Sequence, residues 1–136
     1  MKKLIIFLSL FTIGCTNNYT KSIEAYYRQS QGIQLGETKE QVLSKLAETQ
    51  EILDIADRKS PERFNKDGKL IQIFYFRTHW NDDGLTTDDE FTPYIFEDGI
   101  LEAIGWHSLG GPKTQGKSKT DIRVDRSYSP YPRRFY

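Results

Sequence analysis

The sequence predicts an α+β fold: two N-terminal helices packed on a three- to four-stranded antiparallel meander, followed by a disordered C-terminal tail. Three observations carry this. Thr38-Lys39-Glu40-Gln41 fits a capping box and opens an apolar stripe at helical spacing. Leu70 to Phe76 is a dense run of β-branched and aromatic residues, which suit a pleated, half-buried surface. Asp98-Gly99, a favoured pair for a two-residue hairpin turn, separates two apolar segments.

The chain begins with Lys2 and Lys3, then an apolar stretch from Leu4 to Ile13, then Gly14-Cys15. The stretch has the length of a signal-peptide core and falls short of the roughly 20 residues that span a bilayer. This segment resembles a bacterial lipoprotein signal, which implies cleavage before Cys15 and lipid on its thiol. Residues 1–14 are then signal peptide and residues 15–32 the lipidated N-terminus with the first helix. The resemblance also bears on sorting: Thr16 follows the cysteine where an aspartate would signal inner-membrane retention, so the outer membrane is expected. Cys15 is the only cysteine, so an internal disulfide framework is excluded, and acylation would leave no thiol for catalysis.

Tyr19, Ile23, Tyr26 and Tyr27 recur on one helical face, and Gln31-Gly32 closes that helix. Thr38 caps the second helix, with Val42, Leu43, Leu46 and Ala47 as its buried stripe. Gln50 to Lys59 fits either a continued helix or a strand, because periodicity does not separate short apolar runs. Asn65-Lys66-Asp67-Gly68 reads as a turn and Leu70–Phe76 as a strand, and Asn81 to Glu90 is a polar loop.

Around Asp98-Gly99 an unbroken ladder would pair Phe96 with Leu101, Ile95 with Glu102, Tyr94 with Ala103 and Phe91 with Trp106. One face then carries Tyr94, Phe96, Leu101 and Ala103, the other Phe91, Ile95, Ile100, Ile104 and Trp106. Small Ala103 permits close helix approach, which assigns the first face to the helices. Two short helices cover only one face of such a sheet. The second face, represented by Ile95, Ile104 and Trp106, is expected to bind a partner.

From Gly110 the pattern of the 33–109 domain fails, and residues 110–136 read as a basic, Tyr/Arg-rich flexible tail. The zero net charge conceals an asymmetry. Residues 16–109 hold 10 Lys/Arg against 17 Asp/Glu, whereas residues 110–136 hold 7 Lys/Arg against 2 Asp. An acidic body repels nucleic acid, so no nucleic-acid partner is expected.

Catalytic and metal chemistry find little support. Asp82, Asp83, Asp88, Asp89 and Glu90 lack the alternate spacing of a twelve-residue calcium loop and read as a solvated loop. His79-Trp80 and Trp106-His107 have no close His–His spacing for zinc. Ser108 and Ser129 have no G-x-S-x-G context. No enzyme activity, metal or cofactor is expected.

Leu35-Gly36-Glu37-Thr38-Lys39-Glu40-Gln41-Val42-Leu43-Ser44-Lys45-Leu46 resembles the G-x-T-x-x-x-V-x-x-x-L signature of the SmpA/OmlA, or BamE-like, small outer-membrane lipoproteins. Tyr94 to Leu101 is similar to that family's last hairpin. The resemblance implies that Glu51 to Arg58 forms a strand after the signature helix. It also implies a non-catalytic, protein-binding adaptor in the periplasm, working in envelope or outer-membrane assembly. An envelope inhibitor or immunity-type lipoprotein that blocks an enzyme is the alternative, because fold alone does not fix the partner.

Overall fold

The computed structural model describes residues 17–116. Its elements in order are α1 (Asn18–Ser30), α2 (Lys39–Leu46), β1 (Glu62–Lys66), β2 (Lys69–Arg77), β3 (Phe91–Glu97) and β4 (Ile100–Ile104). The expected lipidation site, Cys15, and residues 117–136 of the expected tail lie outside the described residues. Among the described residues no helix is long and apolar enough to cross a membrane.

The helices start where side chains can take up their orphan amides. Asn17 Oδ1 accepts from the Thr20 amide at 2.8 Å and opens α1. At α2 both bonds of the capping box are present: Gln41 N–H to Thr38 Oγ1 at 3.2 Å and Thr38 N–H to Gln41 Oε1 at 2.9 Å. The buried face of α1 is narrower than its periodicity predicts, with Ser22 and Tyr26 inside and Tyr27 exposed. Helix α2 buries Val42 and Leu46, then tightens into a 3-10 turn at Ala47–Gln50 that leaves Ala47 exposed.

The strand expected at Glu51 to Arg58 is not formed. The chain turns there and makes a short 3-10 helix at Ile55–Asp57. The Arg58 guanidinium donates to the carbonyls of Leu53 (2.9 and 2.7 Å) and Glu51 (2.8 Å), consuming acceptors that a ladder would need. Only Leu53 of this stretch is buried, while Ile52 and Ile55 stay exposed. The first strand is instead β1, a charged segment with Phe64 as its one apolar residue.

The four strands form one antiparallel sheet in the order β1-β2-β3-β4. Two of its connections are two-residue turns, Asp67-Gly68 and Asp98-Gly99. All four of these residues have positive φ (52°, 77°, 48° and 80°), as the turn that matches strand twist demands. The turn expected at Asn65–Gly68 is thereby narrowed, since Lys66 and Lys69 already pair.

Pairing of β3 with β4 follows the expected register only next to the turn, where Phe96 faces Leu101. A bulge then intervenes, so Ile95 faces Ala103 and Tyr94 faces Ile104, correcting the expected Ile95–Glu102 and Tyr94–Ala103 pairs. Glu102 is the extra residue. Ala103 therefore belongs to the face away from the helices and Ile104 to the face of Tyr94, the reverse of the sequence assignment. Strand β4 ends at Ile104, so Trp106 reaches Phe91 through a side chain rather than through the ladder.

On the helix-covered face Tyr26, Val42 and Leu46 pack on Phe76, Tyr94, Phe96 and Leu101. The Tyr26 and Tyr94 hydroxyls bond each other at 2.9 Å, and burial raises the pKa of both. The opposite face carries Ile73, Tyr75, Phe91 and Ile95, with Ile71, Ala103, Trp106 and Leu109 packed against them.

A buried polar knot closes one end of the sheet. Arg77 and Glu90, essentially without solvent exposure, pair at 3.1 Å. The guanidinium is held between the Tyr19 and Phe91 rings, and its Nε donates to the Asp57 carbonyl at 2.9 Å. Glu90 accepts from the Asn81 and Thr87 amides at 2.9 and 2.8 Å. Gln50 accepts from the Arg77 amide (2.7 Å) and donates to Ser22 of α1 (3.3 Å). The acidic loop is thus not simply solvated, since Asp88 and Glu90 are buried and partnered. A carboxylate run bordered by a strand-end arginine folds inward because the two charges pair there, although the buried Arg77 Nη2 has no hydrogen-bond partner.

A grooved sheet face as candidate functional site

Alternation along β2 sends Ile71, Ile73 and Tyr75 to the face away from the helices. Phe64 joins them by pairing with Ile71, and Ile95 by pairing with both Ile73 and Ala103. The chain after β4 then folds back over this face. A 3-10 turn at His107–Leu109 ends at Gly110 and Gly111, both at positive φ (79° and 96°), where a side chain would be strained. This turn lays the Trp106 ring on Tyr75, with centroids 5.7 Å apart, and sends its Nε1–H to the Phe91 carbonyl at 2.7 Å.

Coverage is incomplete. Two adjoining hollows remain, of about 270 and 480 Å³, and both are bordered by Phe64 and Leu109. The smaller lies over Ile73 and Tyr75, the larger over Ile71, Ile95 and Ala103. Phe64 is 43% exposed at their junction.

The rim is polar and carries both signs. Lys59 pairs with Asp88 at 2.9 Å and sits 4.7 Å above the Tyr75 ring. The Tyr75 hydroxyl donates to Glu62 Oε1 at 2.8 Å; burial first, then this carboxylate, raises its pKa. Lys69 bonds Glu97 across the sheet. An apolar floor with a mixed-charge rim suits a partner's apolar side chains flanked by polar ones.

Gly111 and Lys113 line the smaller hollow on its far side, and the residues after them are tied to the acidic loop. The Lys113 amide donates to Asp88 Oδ2 (3.0 Å), Thr114 Oγ1 accepts from the Asp88 amide (2.8 Å), and the Gly116 amide donates to both Asp89 oxygens (3.0 and 3.1 Å). The start of the expected flexible tail is therefore bound to the acidic loop. Burial opposes ionisation of Asp88 and Asp89, yet their partners, Lys59 with the Lys113 amide and the Thr87 hydroxyl with the Gly116 amide, hold both carboxyls below the usual range.

The structure separates the three residues expected to bind a partner. Ile95 and Trp106 share the grooved face, but Ile95 is buried as floor and Trp106 is a half-buried roof. Ile104 is 41% exposed and paired with Tyr94, on the helix side. The accessible apolar residue of the grooved face that sequence reading missed is Phe64. Its signal was available: Asp67-Gly68, read by the rule applied to Asp98-Gly99, demands a strand on its N-terminal side. The two histidine–tryptophan pairs do not form one site, because Trp80 stacks on Tyr19 of α1 and Trp106 on Tyr75.

Comparison with curated proteins and with solved structures gives no match. One family model matches, described as a protein of unknown function, DUF3192, and the match covers residues 16–110, which hold both helices and all four strands. The chain belongs to the DUF3192 family.

Proposed function

We propose that this protein is a lipid-anchored periplasmic adaptor of BamE-like kind. Cys15 carries the acyl chains that hold it to the outer membrane. The grooved sheet face binds a protein of the envelope-assembly machinery without catalysing a reaction. The observation that carries this reading is the groove itself, an apolar floor and mixed-charge rim left open opposite the helix-covered core. The lipoprotein-like start at Lys2–Cys15 and the SmpA/OmlA-like stretch Leu35–Leu46 support the setting. More than one acyl chain gives stable anchoring, since a single chain binds only marginally.

The test is co-purification of the full chain from detergent-solubilised envelope, beside Phe64→Asp and Cys15→Ser. An adaptor recovers several envelope-assembly components, and Phe64→Asp loses them while keeping its melting temperature. Cys15→Ser is uncleaved or released in soluble form. Recovery of a single enzyme with loss of its activity points instead to the inhibitor reading. Capture unchanged by Phe64→Asp rules out the groove.

A further inference from the structure

We propose that β1 joins two copies of this chain edge to edge, in one antiparallel register that its own charges select. The inference concerns the sheet edge and shares Phe64 with the groove, so its test rests on the Glu62 and Lys66 charges, which the capture experiment does not vary. Strand β1 ends the sheet, and all five of its residues are exposed. Lys66 and Lys69 flank a two-residue turn, so their pair exchanges hydrogen bonds, and alternation makes Phe64 and Glu62 the next residues bonded to β2. The amides and carbonyls of Arg63 and Asn65 therefore point outward, and among the described residues none bonds to them. An unpaired edge of this kind is a template for another strand.

The sequence of this edge is Glu62-Arg63-Phe64-Asn65-Lys66. Laid antiparallel on itself about Phe64, it places Glu62 of each copy opposite Lys66 of the other. Arg63 then meets Asn65, the residues with free backbone groups, so both outward pairs exchange hydrogen bonds. Phe64 meets Phe64 in a pair that is not hydrogen-bonded, where side chains come closest. Sliding either way breaks this: one shift stacks Arg63 on Arg63, the other puts Lys66 against Phe64, and both lose the Glu–Lys pairs.

The groups needed are available. Lys66 has no ion-pair partner among the described residues, and Glu62 uses only Oε1 for Tyr75. The two-fold axis runs perpendicular to the sheet, so the grooves of both copies share one side with the two Phe64 rings between them. A closed, isologous contact of this type stops at the dimer.

The experiment is sedimentation equilibrium of the full chain in detergent, with Glu62→Lys, Lys66→Glu and their equimolar mixture. The parent chain dimerises reversibly. Each single variant places like charges opposite each other and weakens its own dimer at least tenfold, whereas the mixture restores pairing, because every Lys then meets a Glu. Circular dichroism of each variant matches the parent. Lys66→Glu, which gives up no bond within the chain, melts like the parent at concentrations where both are monomeric, whereas Glu62→Lys also loses the Tyr75 bond. A second measurement leaves the charges intact: mild oxidation of Phe64→Cys yields a disulfide-linked dimer, because Cβ atoms in such a pair lie about 4.5–5.5 Å apart, while Glu62→Cys and the parent chain do not. A parent chain monomeric at every concentration overturns the proposal. So do single variants that dimerise like the parent, or Phe64→Cys cross-linking only to other proteins.

Discussion

The two faces of the sheet carry similar apolar residues but are finished differently. Under the helices, Tyr94, Phe96 and Leu101 meet α1 and α2 across a closed core, and even the polar tips of Tyr26 and Tyr94 find each other. On the other face, Ile73, Tyr75 and Ile95 are covered by a single returning turn and hollows remain. Composition thus does not decide which face is core and which is site. The covering layer decides, and here the second cover is one turn of chain held by an indole hydrogen bond.

Substitutions of one residue type on the two faces should separate most sharply. Phe96 is fully buried, so Phe96→Ala is expected to cost about 3–5 kcal/mol in denaturant unfolding. Phe64→Ala should stay within about 0.5 kcal/mol, as exposed positions do. Equal losses at both positions would mean that the grooved face is as closed as the other. The polar knot, which ties α1 to the ends of β2 and β3, should respond nearly as strongly. Arg77→Met leaves the Glu90 carboxylate buried without its cation and is expected to cost about 3–5 kcal/mol. Adding Glu90→Gln should recover part of that loss, since it removes the unpaired charge while its amide oxygen still accepts from a backbone amide.

The wall of the groove predicts smaller effects. Ending the chain at Gly110 removes the bonds from Lys113, Thr114 and Gly116 to Asp88 and Asp89, and should cost about 2 kcal/mol at roughly 0.5–1.5 kcal/mol per bond. The composition of this segment, rich in Gly, Ser, Thr and Lys, argues for no cost at all, so the melting temperature of the truncated chain discriminates directly.

Acid should reproduce part of this loss. Asp88 and Asp89 have depressed pKa values in the folded chain, so they bind fewer protons there than when unfolded. Their contribution is complete above the unfolded aspartate value of about 3.9 and is lost as pH falls through the lower folded values. Thermal unfolding between about pH 5 and pH 2 should show a steeper decline for the full chain than for the truncated one.

Local signals were legible wherever one residue type forces one geometry. The capping box, the Leu70–Phe76 strand and the Asp98-Gly99 turn are of this kind, and α2, β2 and the β3–β4 hairpin follow from them in that order. Glu51–Arg58 was misread because the decisive interaction is a guanidinium closing back on two carbonyls, which no hydrophobic pattern encodes. Strand β1 was missed because an edge strand exposed on every residue has no alternation to read. The Arg77–Glu90 pair spans thirteen sequence positions and becomes visible only when β2 and β3 are laid side by side. The faces of Ala103 and Ile104 were exchanged by the one residue that the bulge absorbs.

That bulge has a consequence for deletion tolerance. Losing one residue from a strand normally turns every later side chain to the wrong face. Glu102 already stands outside the pairing, so removing it leaves Phe96–Leu101, Ile95–Ala103 and Tyr94–Ile104 joined as they are, in a straighter ladder. Removing Ala103 instead drives Glu102 into the place opposite Ile95. A chain lacking Glu102 should therefore melt close to the parent, and one lacking Ala103 well below it. Strand β4 can shed a residue without losing its register, provided it is the one residue the ladder never counted.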